Sequence, residues 1–284
     1  MKETQSKHFT IMSKSVIGSL HIQNNKCNQD SIKVWKSSSE DVQSCIVSIA
    51  DGHGSKKSFR SKIGSQLAVH IVEQVLHSEL LKKNHTFSLS YIKQMIEEKL
   101  PIKITSRWNE TVKRHFQQTP FTMEELQTLS DDEKELLKSR PEIAYGTTLL
   151  SVIITESFVV YLQLGDGDII VLTQDSELIR PIQKDSRLIA NETTSLSSKK
   201  AWMEIQISFT TLVGKLPKMI FICTDGYSNS FISEMEFLQS VKDYNDILGH
   251  EGPSYIEDNI ETWLNDISRN GSGDDTTVAI VYCS

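Results

Sequence analysis

Residues 45–54, CIVSIADGHG, predict a buried strand that ends in an acidic turn. The run Cys45–Ala50 is continuous, apolar and rich in β-branched residues, which is typical of a strand covered on both faces. Asp51 follows where such a strand would meet solvent, and Gly52 allows a tight turn or a close approach of another backbone. Because Asp-Gly is also ordinary turn chemistry, this stretch alone does not establish a functional site.

The same order of strand, acid and glycine recurs at three distant points. Leu162–Leu164 leads into Gly165-Asp166-Gly167-Asp168, Ile220–Thr224 leads into Asp225-Gly226, and Gly273-Asp274-Asp275 precedes the run Thr276–Val281. If these strands are neighbours, their carboxylates converge on one edge of the core, where they repel unless a cation neutralises them. Oxygen ligands suit Mg²⁺ or Mn²⁺, and two such ions activate water for phosphoryl chemistry.

Further apolar runs predict the rest of the sheet framework. The expected strands are Leu149–Thr155, Val159–Leu164, Ile169–Thr173, Met219–Cys223 and Thr277–Cys283. Only three residues separate the first two of these strands, which predicts an antiparallel hairpin rather than a βαβ unit.

Helical spacing appears between the strands. It predicts one helix over about Phe59–Leu81 and another over about Ser88–Gln117, interrupted near Pro101. Thr122 with Glu125 and Ser254 with Glu257 have the spacing of capping boxes. We therefore expect an α+β fold in a single domain, 1–284, with its core at about 15–283. Residues 116–141 are interpreted as a helical insertion, and 184–200 as a surface loop.

Composition excludes several classes of protein. The 284 residues are 38% hydrophobic with a net charge of −7, which argues against a nucleic-acid binder. Four isolated cysteines without a C-x-x-C pair argue for reduced thiols and against a thiolate zinc site. The polar N-terminus and the lack of an apolar run of roughly 18 residues predict a cytoplasmic protein without a membrane segment.

The motifs also occur together in a known family. In chain order they are Asn28-Gln29-Asp30, Asp51-Gly52-His53-Gly54, Gly146-Thr147-Thr148, Gly165-Asp166-Gly167, Thr224-Asp225-Gly226 and Asp274-Asp275-Thr276-Thr277-Val278. Their order and approximate spacing resemble the PPM-type (type 2C) metal-dependent protein phosphatases, in the form of a bacterial-type stand-alone catalytic domain. The resemblance implies a four-layer α-β-β-α sandwich of two mainly antiparallel sheets. It also implies hydrolysis of phosphoserine and phosphothreonine by a metal-activated water at a binuclear Mg²⁺/Mn²⁺ centre.

The resemblance assigns roles to individual residues. Asp51 would bridge both metals, the Gly52 carbonyl would bind one of them, and His53 would protonate the leaving oxygen. The remaining assignments are Asp225 and Asp274 as further metal ligands, Asp30 as an acid that reaches a metal through water, and Asp166 as a residue that helps to hold a weaker third ion.

The sequence departs from the family pattern at two places. Many members carry an arginine before the first acid, where it binds the substrate phosphate, but residues 21–27 contain none. His21 or Lys26 is the candidate substitute, although a point charge is a poorer clamp than a guanidinium group. In the last motif Asp275 stands where the family usually has asparagine, which adds an acid without removing a ligand.

Three functions remain open from the sequence. The main hypothesis is a serine/threonine phosphatase that acts on a phosphoprotein, either a cognate serine/threonine kinase or its targets. The first alternative is a non-catalytic phosphatase-like module for binding or regulation, for which the absent arginine leaves room. The second is a phosphoesterase for small molecules, although no Gly-rich phosphate-binding motif supports nucleotide binding.

Overall fold

Two five-stranded antiparallel sheets form the centre of the structure, a computed structural model that describes residues 9–37, 44–81, 88–184, 194–212 and 216–283. In chain order the strands are β1 (Phe9–Val16), β2 (Ser31–Lys36), β3 (Cys45–Ala50), β4 (Leu149–Ile154), β5 (Phe158–Leu164), β6 (Asp168–Leu172), β7 (Leu178–Ile179), β8 (Gln206–Thr211), β9 (Met219–Cys223) and β10 (Thr276–Cys283). The first sheet has the order β1-β10-β9-β6-β7, and the second has the order β2-β3-β4-β5-β8.

Helices cover the outer face of each sheet. They are α1 (Ser19–Gln23), α2 (Ser61–Leu76), α3 (Leu89–Gln118), α4 (Met123–Leu126), α5 (Asp131–Ser139), α6 (Ala201–Glu204), α7 (Asp225–Ser228), α8 (Glu234–His250) and α9 (Pro253–Asn270). Short 3₁₀ turns span Lys56–Ser58 and Pro141–Tyr145, and a π-helical turn, His77–Leu81, continues α2.

Three layers of buried side chains separate the four layers of backbone. Residues of α2 and α3 pack on the second sheet, residues of α8 and α9 pack on the first, and a third cluster fills the space between the sheets. Val47 and Ile222 belong to that central cluster and are fully buried. The predicted α+β fold and its α-β-β-α layering are therefore confirmed.

The strand predictions agree closely with the structure. Cys45–Ala50 and Met219–Cys223 have the predicted bounds, the predicted strand Ile169–Thr173 is shifted by one residue at both ends, and the other three predicted strands differ by one residue at one end. The hairpin is also confirmed, because β4 pairs with β5 in antiparallel register from Leu149 opposite Leu164. Continuous burial explains this agreement, since every residue of β3, β4, β5 and β9 is buried.

Two helix predictions are wrong. The predicted interruption near Pro101 is absent, because α3 continues through it with a buried stripe at a spacing of four residues, Ile96, Leu100, Ile104, Trp108 and Val112. That burial offsets the lost backbone hydrogen bond, which costs about 3 kcal/mol. Ser254 does not cap α9, because the helix already begins at Pro253, a residue preorganised for the first helical position.

The segment 116–141 contains the end of α3 together with α4 and α5. The capping box of Thr122 and Glu125 is confirmed at the start of α4. Leu129 and Leu137 are buried within the cluster on the second sheet, so this segment contributes to the core. Its interpretation as an insertion stays a prediction.

Part of the predicted surface loop is buried. Residues 185–193 lie outside the described residues, but Ser195, Leu196 and Ser197 are buried. The Leu196 N–H donates to the Thr147 carbonyl at 2.9 Å, which holds this backbone against the start of β4. The surface prediction is therefore wrong for these three residues.

Candidate active site

The antiparallel register brings the predicted acids to one end of the sandwich. Asp51, Asp166 and Asp225 follow the C-terminal ends of β3, β5 and β9. Asp30 and Asp274 precede the N-terminal ends of β2 and β10, which lie at the same end because Ser31 pairs with Ala50 and Val278 pairs with Cys223. A cleft of about 190 Å³ opens there, lined by His21, Gln29, Asp51, Gly52, His53, Gly54, Asp166, Asp225 and Asp274.

Two threonines hold the backbone of Asp51 in place. The Asp51 N–H donates to Thr148 Oγ1 at 2.9 Å, and the Asp51 carbonyl accepts from Thr147 Oγ1 at 2.7 Å and the Thr148 N–H at 2.8 Å. A side chain at Gly52 would lie 2.8 Å from the Gln29 carbonyl oxygen, so only glycine permits this close approach. The Gly146-Thr147-Thr148 motif therefore fixes the turn that presents the Asp51 carboxylate.

Asp30 lies beneath the cleft. Its Oδ2 accepts hydrogen bonds from Thr224 Oγ1 at 2.8 Å and Thr277 Oγ1 at 2.7 Å, whereas its Oδ1 is buried without a hydrogen-bond partner among the described residues. The carboxylate belongs to the lining of an adjoining polar cavity and not to that of the cleft. It still acts on the cleft, because its charge is a cause of the raised pKa of Asp51.

Burial and neighbouring negative charges raise the pKa values of several acids at the site. Burial, followed by the charges of Asp30 and Asp225, holds the pKa of Asp51 well above its usual range. Burial also raises the pKa of Asp30 to about 8 and that of Asp225 to about 6. One oxygen of Asp225, Oδ1, is buried without a hydrogen-bond partner in the described part of the chain. Like-charged groups arranged this way favour a bound cation.

His53 borders the cleft beside Asp51. Its backbone N–H donates to the Gly146 carbonyl at 3.0 Å, and burial lowers the pKa of its ring, against the opposing charge of Asp166. Asp168, the second acid of that motif, points elsewhere. It is buried and pairs with Arg180, whose Nε donates to Asp168 Oδ1 at 3.0 Å.

The two candidate phosphate-binding residues have different positions. His21 lines the cleft, with Nδ1 2.9 Å from Asp275 Oδ1 and Nε2 3.5 Å from Asp274 Oδ1. Lys26 is exposed and is not among the residues that line the cleft, although its backbone N–H donates to the His21 carbonyl. The structure thus brings only His21 to the acids.

Sequence reasoning missed two contributors to the site. Gln29 lines the cleft with its Oε1 buried and without a hydrogen-bond partner in the described ranges. The buried Asp275 accepts the N–H of Gly18 at 2.7 Å and that of Gln29 at 2.6 Å, so it joins two loops of the cleft. The motifs contained both residues, but only long-range contacts reveal these roles.

The donor set fits divalent cations that prefer oxygen ligands. The cleft presents the carboxylates of Asp51, Asp166, Asp225 and Asp274, and the unsatisfied oxygens of Asp30 and Asp225 lie at or beneath it. Such hard oxygen donors match Mg²⁺ and Mn²⁺ rather than metals that prefer thiolates. The three buried cysteines are parts of strands and do not line the cleft.

Comparison with known proteins identifies the family. A family model described as Protein phosphatase 2C matches residues 17–265. The chain belongs to the protein phosphatase 2C family. Membership places it among the protein serine/threonine phosphatases, as the ordered motifs predict.

Solved structures of this family share the fold. The catalytic domain of the serine/threonine phosphatase PstP, in complex with two manganese ions, is 16% identical with a TM-score of 0.57, over 98% of this chain and 99% of that one. The S. agalactiae serine/threonine phosphatase is 18% identical with a TM-score of 0.57, over 97% of this chain and 99% of that one. PppA, a key regulatory component of the T6SS in Pseudomonas aeruginosa, is 16% identical with a TM-score of 0.57, over 98% of each chain. No curated protein matches the chain.

Proposed function

We propose that the cleft hydrolyses phosphoserine and phosphothreonine monoesters on proteins with the help of two divalent cations, Mg²⁺ or Mn²⁺. The observation that carries this proposal is the convergence of Asp51, Asp225 and Asp274 at one end of the sandwich, where burial and mutual repulsion raise the pKa of the first two. The two manganese ions of PstP support the same reading of this cleft.

The proposed ligands come from three separate loops. Asp51 would contact both ions, the Gly52 carbonyl would bind one of them, and Asp225 and Asp274 would complete the protein ligands of the other. Asp30 would act on one ion through a water molecule, since its buried Oδ1 has no hydrogen-bond partner among the described residues. Asp166, which also lines the cleft, would help to hold a weaker third ion.

The bound cations supply Lewis-acid activation of water and of the phosphate. The chain itself supplies orientation and a proton. His53 borders the cleft two residues after Asp51, and we assign it the transfer of a proton to the serine or threonine oxygen as that oxygen leaves. The hydroxyl groups of Thr147 and Thr148 hold the backbone of Asp51, and those of Thr224 and Thr277 donate to the Asp30 carboxylate.

We assign the phosphate contact to His21 rather than Lys26. His21 Nε2 lies beside Asp274 at the cleft, whereas the Lys26 side chain extends into solvent. His21→Ala is therefore expected to raise KM for a phosphoserine peptide about tenfold, the equivalent of one charge-assisted hydrogen bond. Lys26→Ala is the matched control and should leave KM unchanged. Equal constants for both variants and the wild type would refute the assignment.

One experiment separates the proposed activity from its alternatives. Phosphate release from a phosphoserine peptide and from a nucleoside monophosphate is measured with Mn²⁺ and with excess chelator. The proposal predicts metal-dependent release from the peptide, with little from the nucleotide. Preference for the nucleotide would indicate a small-molecule phosphoesterase, and no release from either would indicate a non-catalytic module. Asp258→Asn, which removes an exposed acid on α9, is the control for substitutions of the cleft acids and should keep the wild-type rate.

Three wider predictions belong with this proposal. We interpret the chain as a single phosphatase domain, with a serine/threonine kinase or the targets of that kinase as its partner. We also place it in the cytoplasm, where its four free cysteines would stay reduced. Among the described helices, none has the length and apolar character that crossing a bilayer requires.

A further inference from the structure

Arg60 forms the centre of a buried polar network behind the cleft. Its guanidinium donates five hydrogen bonds: Nε to Glu125 Oε1 at 2.7 Å, Nη2 to Glu125 Oε2 at 2.8 Å and to the Pro120 carbonyl at 3.0 Å, and Nη1 to the Thr119 carbonyl at 2.6 Å and to Tyr145 Oη at 2.8 Å. All the donors of an arginine are thereby used. The guanidinium carbon also lies 4.8 Å from the ring centre of Phe121.

Three of the four residues that accept hydrogen bonds from the Arg60 side chain come from one segment. Thr119, Pro120 and Glu125 belong to the segment 116–141, whereas Arg60 precedes α2 and follows the loop that carries Asp51 and His53. Arg60 is 5% exposed, so its charge depends on Glu125 for compensation. The network therefore attaches this segment to the loop of the cleft.

Tyr145 extends the network towards His53. Its hydroxyl contacts Arg60 and also lies 2.8 Å from His115 Nδ1, and its ring is fully buried. The next residue, Gly146, accepts the backbone N–H of His53. A Cβ at Gly146 would lie 2.7 Å from His53 Cδ2, so the ring of His53 rests directly on this glycine.

The backbone of residues 143 and 144 is also held by the turn that follows the loop carrying Asp51 and His53. The Arg60 N–H donates to the Ala144 carbonyl at 2.8 Å, and Ser58 Oγ donates to the Ile143 carbonyl at 3.3 Å. Residues 143–146 therefore lie between the Arg60 network and His53. A shift of this backbone would move the ring that it supports, because interiors are close-packed.

We propose that Glu125, Arg60 and Tyr145 are positioning residues for His53, and that the segment 116–141 acts on catalysis by fixing the general acid from behind. This inference rests on the proposed function for the role of His53. None of the three residues lines the cleft, so they act through Gly146 and not through contact with substrate.

The leaving group provides a readout that a purely structural role would not change. A serine alkoxide needs a proton when it leaves, whereas p-nitrophenolate leaves without one. General acids contribute about 10²–10⁴-fold to rate, so partial misplacement of His53 should remove part of that factor for the peptide only. We expect Glu125→Gln to lower kcat for a phosphoserine peptide by about tenfold, and kcat for p-nitrophenyl phosphate by less than about twofold.

Two further variants keep the test decisive. Tyr145→Phe removes a single hydroxyl and should change the two rates in the same direction. It provides the test if Glu125→Gln fails to fold. Glu135→Gln removes an acid from the same segment whose side chain is 75% exposed and pairs only with Lys138 among the described residues, so it should change neither rate. Equal losses for both substrates in Glu125→Gln and Tyr145→Phe, or no loss in either, would overturn the inference.

The position of His53 can also be measured without catalysis. Its imidazole NMR resonances, identified by their disappearance in His53→Asn, should shift in Glu125→Gln but not in Glu135→Gln. If the wild type hydrolyses neither substrate, the proposed function fails, while a shift of these resonances still supports the positioning role. Unmoved resonances in a folded Glu125→Gln protein would overturn that role whatever the activity.

Discussion

Two clusters of charged side chains adjoin the loop that carries His53, and they differ in how their charges are balanced. In the cleft, burial and neighbouring acids raise the pKa of Asp51, and oxygens of Asp30 and Asp225 have no hydrogen-bond partner among the described residues. In the Arg60 network every guanidinium donor is used, and the hydrogen bonds from Arg60 lower the pKa of Glu125 against the opposing effect of burial.

This difference in charge balance fits two different roles, a cation site in the cleft and a structural support in the Arg60 network. A group of buried, ionised acids without a counter-charge is unfavourable by itself, and either protonation or a bound cation relieves the repulsion. A buried arginine with a bidentate carboxylate and three further acceptors is complete, so it needs nothing more and can hold its surroundings in one geometry. Substitutions in the two clusters test this contrast.

The largest expected effect follows from removing one charge at the centre of the cleft. Asp51→Asn should lower hydrolysis of a phosphoserine peptide on the order of 10³-fold, the upper range for loss of one preorganised electrostatic group. The same change should raise the melting temperature of chelator-treated protein, because it removes carboxylate repulsion. Retained activity, or a lower melting temperature without metal, would contradict the balance of charges inferred for the cleft.

Asp225 and Asp274 should behave as a unit. Since both are assigned to the same ion, Asp225→Ala and Asp274→Ala should each cause a large loss of activity, and the double variant should lose little more. Steady-state rates of the four proteins at saturating Mn²⁺ measure the coupling. If the double loss equals the product of the single losses, the two acids serve separate roles.

Loss of Arg60 should affect the stability of the fold more directly than the rate of hydrolysis. Arg60→Met leaves Glu125 and two carbonyl groups without their donor, and should lower the free energy of unfolding by about 3 kcal/mol. Urea denaturation measures this change. The control is Arg269→Met, an exposed arginine paired with Asp266, for which the change should stay within about 0.5 kcal/mol. Equal effects of the two substitutions would remove the distinction between the network and an ordinary surface pair.

The stability of the metal-free protein should also depend on pH. Asp30 and Asp225 have pKa values of about 8 and about 6 in the folded protein, above their ordinary value of 3.8. At a pH between the ordinary pKa and the raised pKa of each group, the folded state binds more protons than the unfolded state. The free energy of unfolding should therefore fall as pH rises from about 4 to about 8. Urea denaturation in chelator at pH 5 and pH 8 tests the sign, and Asp30→Asn should reduce the slope. A stability that rises over this interval in the wild type but not in Asp30→Asn would contradict it.

The sequence predicts the acids of the cleft better than it predicts the Arg60 network behind them. Buried strands such as β3 and β9 are marked by continuous apolar runs, and an acid at the end of each run is visible without a structure. The antiparallel register then brings those acids together. The link between Arg60 and Glu125 joins residues 65 positions apart, and no local pattern distinguishes this arginine from a surface one.

The errors at Pro101 and at Leu196 also arise because long-range contacts decide the outcome. A proline inside a helical pattern is locally unfavourable, but the burial of Trp108 and its neighbours on one face decides the outcome for α3. The burial of Leu196 likewise depends on a partner, the Thr147 carbonyl, that lies far away in the chain. Tertiary contacts override local signals at these positions.

Calorimetric titration with Mn²⁺ tests the central claim most directly. The wild-type protein, freed of metal by a chelator and then dialysed, should bind two ions. Asp51→Asn should lose both high-affinity events, because we assign both ions to this one carboxylate, while circular dichroism should show an intact fold. Undiminished binding of two ions by Asp51→Asn would contradict the account.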